Sequence, residues 1–193
     1  MPTKTVLAIL AAAAVGLVLL TAPQRTADRP ALEAKAAALI KDYAATLQGA
    51  LKGAIEKSGP DGAVVFCNKE APGIAEQASS RSGWSISRTS LKPRNPASAP
   101  DAYEREAMAE FAARAAAGEP AASLKRADII EQDGERVFRY LQAIPTGELC
   151  LGCHGSDLKP KVSAKINEYY PADQATGFKQ GDLRGAFTLS TKL

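Results

Sequence analysis

Histidine occurs once in these 193 residues, at His154, and cysteine three times, at Cys67, Cys150 and Cys153. One histidine rules out any centre held by two imidazoles. It also leaves no second imidazole to act as a distal acid–base group. Three cysteines cannot build a disulfide framework. Any single disulfide would have to use Cys150 or Cys153. No internal repeat is visible, so an array of repeated sites is excluded. The longest apolar run, Val6 to Leu20, falls short of the roughly 20 residues that span a bilayer comfortably. No basic stripe points to nucleic acid.

The cysteine and histidine that are present stand together as Cys150-Leu151-Gly152-Cys153-His154. This is the attachment pattern of a c-type haem. Two thiols at this spacing can each form a thioether to one haem, and the adjacent imidazole can ligate the iron from one side. Zinc is the first alternative. Cys67, Cys150, Cys153 and His154 arithmetically make a Cys3His set. A redox dithiol of the C-x-x-C type and a chance match are the others.

Compartment bears on the choice. Lys4 precedes the Val6–Leu20 run, and Thr21-Ala22 comes after it, in the order of a secretory signal. Pro23 after Ala22 and Leu20 at the −3 position are poor for cleavage, so residues 1–27 are expected to be a cleaved signal or a retained inner-membrane anchor. No cysteine lies nearby for lipidation. The expected location is the periplasm, where covalent haem is installed. Without residues 1–27 the formal charge falls from +3 to +1, because Lys4 and Arg25 go and no acid does. Two ionised propionates of one haem would bring it to about −1. Residues 28–193 suffice for one domain with a sizeable core.

Leu32, Ala36, Leu39, Ile40, Tyr43, Leu47, Leu51 and Ile55 recur at helical spacing, which predicts a long helix from Ala31 to about Lys57. Ser58-Gly59-Pro60-Asp61-Gly62 ends it. Ala63 to Phe66 then reads as a short buried strand delivering Cys67. Next come a helix over Pro72–Ser80, a strand over Trp84–Ser90 and a helix over Asp101–Ala117 capped by Asp101. Ala127–Gln132 and Glu135–Ile144 form a hairpin about Asp133-Gly134. Lys161–Tyr170 is a short helix and Gly185–Thr191 a last strand. The sum is an α+β domain with about five, mostly antiparallel, strands. Trp84, Tyr140 and Tyr170 read as core, although the tyrosines could also approach a haem.

The sixth iron position has several candidates: Cys67, Met108, a lysine, a tyrosine, water or nothing. Met108 has a competing reading as core filler in its helix, and Cys67 as a buried small hydrophobe. An unpaired cysteine in an exported protein still calls for an explanation. The choice sets chemistry. A thiolate stabilises ferric iron and lowers the potential, whereas a thioether raises it. His154/Cys67 ligation implies a low-potential haem that can shed the thiolate on reduction.

Beyond the haem motif, the order of Phe66-Cys67-Asn68, Arg88-Thr-Ser-Leu-Lys92, Arg94-Asn-Pro96, Pro100-Asp101, Tyr170-Pro171, Ala175-Thr-Gly177 and Gly181-Asp-Leu-Arg-Gly185 resembles the PAS-like single-haem c-type domain family. The likeness covers roughly Leu32 to Leu193. It implies a PAS-like antiparallel sheet with flanking helices and a long N-terminal helix. It also implies His/Cys axial ligation, found in at least some members, which places Cys67 opposite His154. Sensor members continue into signalling domains. The sequence ends at Leu193, so kinase or chemoreceptor output is not expected of it. In the basic loop Arg81–Arg94, Arg88 and Arg94 are the candidates for pairing with haem propionates, since the guanidinium fork suits a carboxylate. For any one of these cations the plainer alternative is a solvated face.

The leading functional expectation is a haem c protein with a redox role. That role is low-potential electron transfer, or redox or diatomic-gas sensing, with an unidentified redox or signalling partner. A peroxidase-like enzyme is the first alternative, and the missing second histidine counts against it. A zinc-stabilised binding module is the other.

Overall fold

The computed structural model describes residues 28–193; the expected signal or anchor at 1–27 lies outside the described residues. Helix α1 (Arg29–Lys69) is two limbs in one. Asp28 caps its start, its carboxylate accepting from the Ala31 N–H at 3.3 Å. The first limb buries Ala36, Ile40, Tyr43 and Leu47, the apolar stripe read from the sequence. It breaks at Gly59, where φ is 73°. Pro60 supplies no N–H, and its ring would collide with the carbonyl one turn back, so a straight helix is excluded there. A glycine takes the left-handed φ without steric cost, and proline suits the first turn of the second limb.

That second limb corrects one expectation. Ala63 to Phe66 is helical, not a strand, so the sheet has four strands rather than about five. A four-residue apolar run has no periodicity that separates strand from helix. Packing decides instead. Ala63 and Val64 are buried while Val65 and Phe66 are only partly covered, which is the one-sided burial of a helix.

The remaining elements match expectation within a residue or two. They are α2 (Ala71–Ser82), β1 (Ser85–Thr89), α3 (Ala102–Ala116), β2 (Lys125–Gln132), β3 (Glu135–Pro145), α4 (Glu148–His154), α5 (Pro160–Tyr169) and β4 (Leu183–Lys192). Helix α4, which carries the haem motif, is the exception, with no signal of its own in the sequence. The strands form one antiparallel sheet in the order β1-β4-β3-β2. Asp133 and Gly134 have φ of 53° and 77°, the two positive values that a tight hairpin turn matched to strand twist requires.

Alternation along the strands separates two cores. Phe138, Tyr140, Leu189, Ile86 and Trp84 pack with α1 and α2, and Trp84 meets Phe138 edge to face at 5.8 Å. Leu141, Ala143 and Ala186 pack with Ala107, Met108 and Phe111 of α3. The result is an α+β PAS-like architecture of helix, sheet and helix layers. Registers Thr89↔Ala186 and Pro145↔Leu183 bring the end of β1, the start of β4 and the end of β3 to the same edge. Helix α4 leaves the sheet there.

The α3 layer is fixed by charge as well as by apolar packing. Asp101 and Glu104 form a reciprocal capping box. The Glu104 Oε1 also accepts from Arg139 Nη2 at 3.2 Å and from Thr188 Oγ1 at 2.7 Å, tying α3 to β3 and β4. Arg139 is buried, so it needs a carboxylate. Arg139 Nη2 also donates to Asp101 Oδ2 at 2.8 Å, so losing either carboxylate leaves the cation one partner. Glu104→Ala, which removes the more buried carboxylate and the Thr188 bond, is expected to cost about 2 kcal/mol. Asp101→Ala, which loses the cap and the more exposed carboxylate, is expected to cost about 1 kcal/mol. Chemical denaturation of both variants checks the order.

Candidate functional site

Helix α4 puts Cys150 and Cys153 three positions apart, on neighbouring turns of one face. Both are partly exposed thiols, as is Cys67 on the second limb of α1. That limb lies against α5. Val64 packs with Val162, Ile166 and Tyr170, with Cys153 at the margin of the same cluster. Asn68 Nδ2 donates to the Tyr169 carbonyl at 3.1 Å. The Gly59–Pro60 break therefore turns Cys67 toward the haem motif. Burial pushes the Cys67 thiol up, opposed by Arg88 and Arg94. Cys153 is also raised, by burial first and in smaller part by the charges of Cys67 and Cys150, while Arg94 opposes the shift.

His154 is held by the loop between α5 and β4. Its Nδ1 lies 2.7 Å from the Ala175 carbonyl. A carbonyl only accepts, so Nδ1 carries the proton and Nε2 keeps its lone pair free. The Phe178 N–H donates to the His154 carbonyl at 3.0 Å, and the Gly177 N–H to the Gly155 carbonyl at 3.1 Å. Phe178 meets the imidazole edge to face at 6.4 Å. Burial, with Arg184 and Arg94 beside it, brings His154 down to about 2. The imidazole is neutral at any physiological pH.

Arg94 secures that loop. Its Nε and Nη2 donate to the two oxygens of Asp173, at 3.0 and 3.2 Å. Nη2 also donates to the Cys153 carbonyl at 2.6 Å and the Ala175 carbonyl at 3.1 Å. Asp173 in turn accepts from the Ala175 N–H at 2.9 Å. Arg94, expected to offer its fork to a propionate, has its Nε and Nη2 engaged within the protein. Arg88, on β1, is exposed, and its charge reaches both Cys67 and His154.

Sequence reasoning did not assign roles to Asp173, Ala175, Phe178 or Arg184. Ala175-Thr-Gly177 and Gly181–Gly185 stood out only as pieces of a resemblance. Ala175 acts through its carbonyl, which no residue pattern reveals. Met108 is excluded from this site: it is buried in the α3 core with Phe111, Leu124 and Leu141. Tyr140 belongs to the α1 and α2 core, whereas Tyr170 borders the site, pushed up to about 12 by burial and by the Cys67 charge. Among the described residues, no group of three or more His, Cys, Asp or Glu side chains is gathered to hold a metal ion, which disfavours the Cys3His zinc arrangement. Also among the described residues, no helix is long and apolar enough to cross a membrane.

A helix-flanked antiparallel sheet with a C-x-x-C-H helix at one edge defines the class of domain. A family model described as Tll0287-like matches residues 24–191, and the chain belongs to that family. Among solved structures it is similar to the cyanobacterial heme-protein Tll0287, at 25% identity and a TM-score of 0.61, over 84% of this chain and 96% of that one. No curated protein matches.

The Arg94 clamp yields a stability test. Arg94→Met leaves the Asp173 carboxylate without its cation and removes one of the donors to the Ala175 carbonyl. A loss of about 3 kcal/mol is expected in denaturant unfolding, with new proteolytic cleavage within residues 171–182. Asp173→Asn, which keeps an acceptor, is expected to lose less.

Proposed function

We propose that the chain is a periplasmic c-type haem protein with a redox role, serving low-potential electron transfer or the sensing of redox state or a diatomic gas. Cys150 and Cys153 would hold the haem through thioethers, and His154 Nε2 and Cys67 would ligate its iron. The observation that carries the reading is the His154 Nδ1 to Ala175 carbonyl contact beside the paired thiols. A ligating histidine characteristically donates its second nitrogen to a carbonyl or carboxylate, which fixes the tautomer and raises its basicity. Membership of the Tll0287-like family and the likeness to a heme-protein support the same cofactor.

The donor set fits the group. The two thiols lie on one helix face, the imidazole is neutral, and Cys67 and His154 share the neighbouring charges of Arg88 and Arg94. When bound, a haem supplies an iron that exchanges one electron between ferric and ferrous states. The protein's own part is to fix the imidazole, present a thiol from α1, and surround both with cationic side chains. A thiolate partner favours the ferric state and lowers the potential.

Ligation by Cys67 is tested with optical and electron spin resonance spectra and a potential titration. Cys67→Ala is expected to convert a low-spin ferric spectrum to another species and to raise the potential. Met108→Ala is expected to change neither while lowering stability by about 3 kcal/mol. An unchanged Cys67→Ala spectrum and potential would remove Cys67 from the iron.

A further inference from the structure

We infer that Arg184, with Lys92 and Arg88 beside it, forms the anion cradle that receives the haem propionates, and that Arg94 is a clamp rather than a propionate ligand. The inference rests on the haem reading above. It starts from an imbalance of charge. Arg88, Lys92, Arg94 and Arg184 converge on the edge where β1 ends and β4 begins, and the acid placed among them is Asp173. Asp173 is spent on Arg94 in a buried pair.

Arg184 is thus a half-buried guanidinium whose described protein contacts are neutral. Its Nη1 donates to Ser90 Oγ at 3.1 Å, and that hydroxyl itself donates to the Arg184 carbonyl at 2.9 Å. The guanidinium lies over the Phe178 ring, 5.1 Å from its centroid. Lys92 Nζ lies 5.4 Å from the same ring. Phe178 is the residue that bonds the His154 carbonyl and abuts the imidazole. The two cations are therefore held by one aromatic ring at the side of the expected iron ligand. Burying a guanidinium without a carboxylate is costly, and the cost persists only where something offsets it. A dicarboxylate ligand does so directly. The groups facing Arg184 are Arg88 from β1, Arg94 and Asp173 from the flanking loops, and Cys150 from α4. They add two cations and one acid already paired. The backbone supports this placement: a Cβ at Gly185 would meet the Thr89 carbonyl at 2.5 Å, so glycine there lets β1 and β4 close beside Arg184.

The test uses the haem-loaded full chain and reads its potential against pH. With Arg184 present the propionates stay ionised between about pH 5 and 8, so the wild-type slope of potential against pH carries only the proton that Cys67 takes up on reduction. Arg184→Gln removes a cation, so it is expected to lower the potential. It also lets a propionate take a proton in that range, so the potential falls more steeply with pH than in wild type. Arg184→Lys is expected to restore most of the wild-type slope. Arg88→Gln, at an exposed position and safe for folding, is expected to give a smaller shift of the same sign. Potentials and pH profiles equal to wild type in both Gln variants, with the Soret band intact, would overturn the assignment. A wild type that carries no covalent haem would instead sink the cofactor reading, and this shows before any variant is compared.

Discussion

The site depends on how one buried guanidinium is satisfied. Arg94 comes from the loop after β1, Asp173 and Ala175 from the loop before β4, and Cys153 from α4. Few side chains other than arginine hold a carboxylate and two carbonyls at once, because few present several donors in a rigid plane. The pair is secluded from water, with side chains 10% and 9% exposed, so it is not screened as a surface pair would be. Its position matters more than its energy. Arg94 fixes the Ala175 carbonyl, and the Ala175 carbonyl fixes the His154 proton on Nδ1. The orientation of the proposed iron ligand is thus set two contacts away.

Around this clamp the fold keeps two tasks apart. The α3 face of the sheet is closed by apolar packing and by the Arg139–Glu104–Thr188 bonds, and no residue of the haem motif belongs to that core. The other end is left chemically active. There the chain gathers thiols, one neutral imidazole and an excess of positive charge. The Gly59–Pro60 break links the two. It lets one long helix cover the sheet with its first limb and carry Cys67 to the motif with its second.

Much of this was legible in the residues, for identifiable reasons. The α1 stripe, the Asp101 cap and the Asp133-Gly134 turn are local signals, and local physics is enough to read them. Cys150, Cys153 and His154 stood out because the proposed covalent haem needs those residue types at that spacing. Ala63–Phe66 misled, since its helical state comes from packing on α5 rather than from its own pattern. Arg94 stood out in the basic loop, but nothing in its neighbourhood named Asp173 as its partner. A sequence shows that an arginine is present and not which acceptor reaches it first. Asp173 and Ala175 were opaque because their part is played through a distant contact and a backbone carbonyl. Arg184 was opaque because its significance lies in the acids that are missing around it.

The central claim is that Cys150, Cys153 and the oriented His154 hold one covalent haem. The most direct measurement is the intact mass of the full chain, produced with a c-type haem maturation system and stripped with acidified acetone before analysis. The account predicts a mass raised by one haem that resists extraction, and its loss when Cys150 and Cys153 are both changed to alanine. An unmodified mass after extraction, or a haem retained by the double variant, would contradict it.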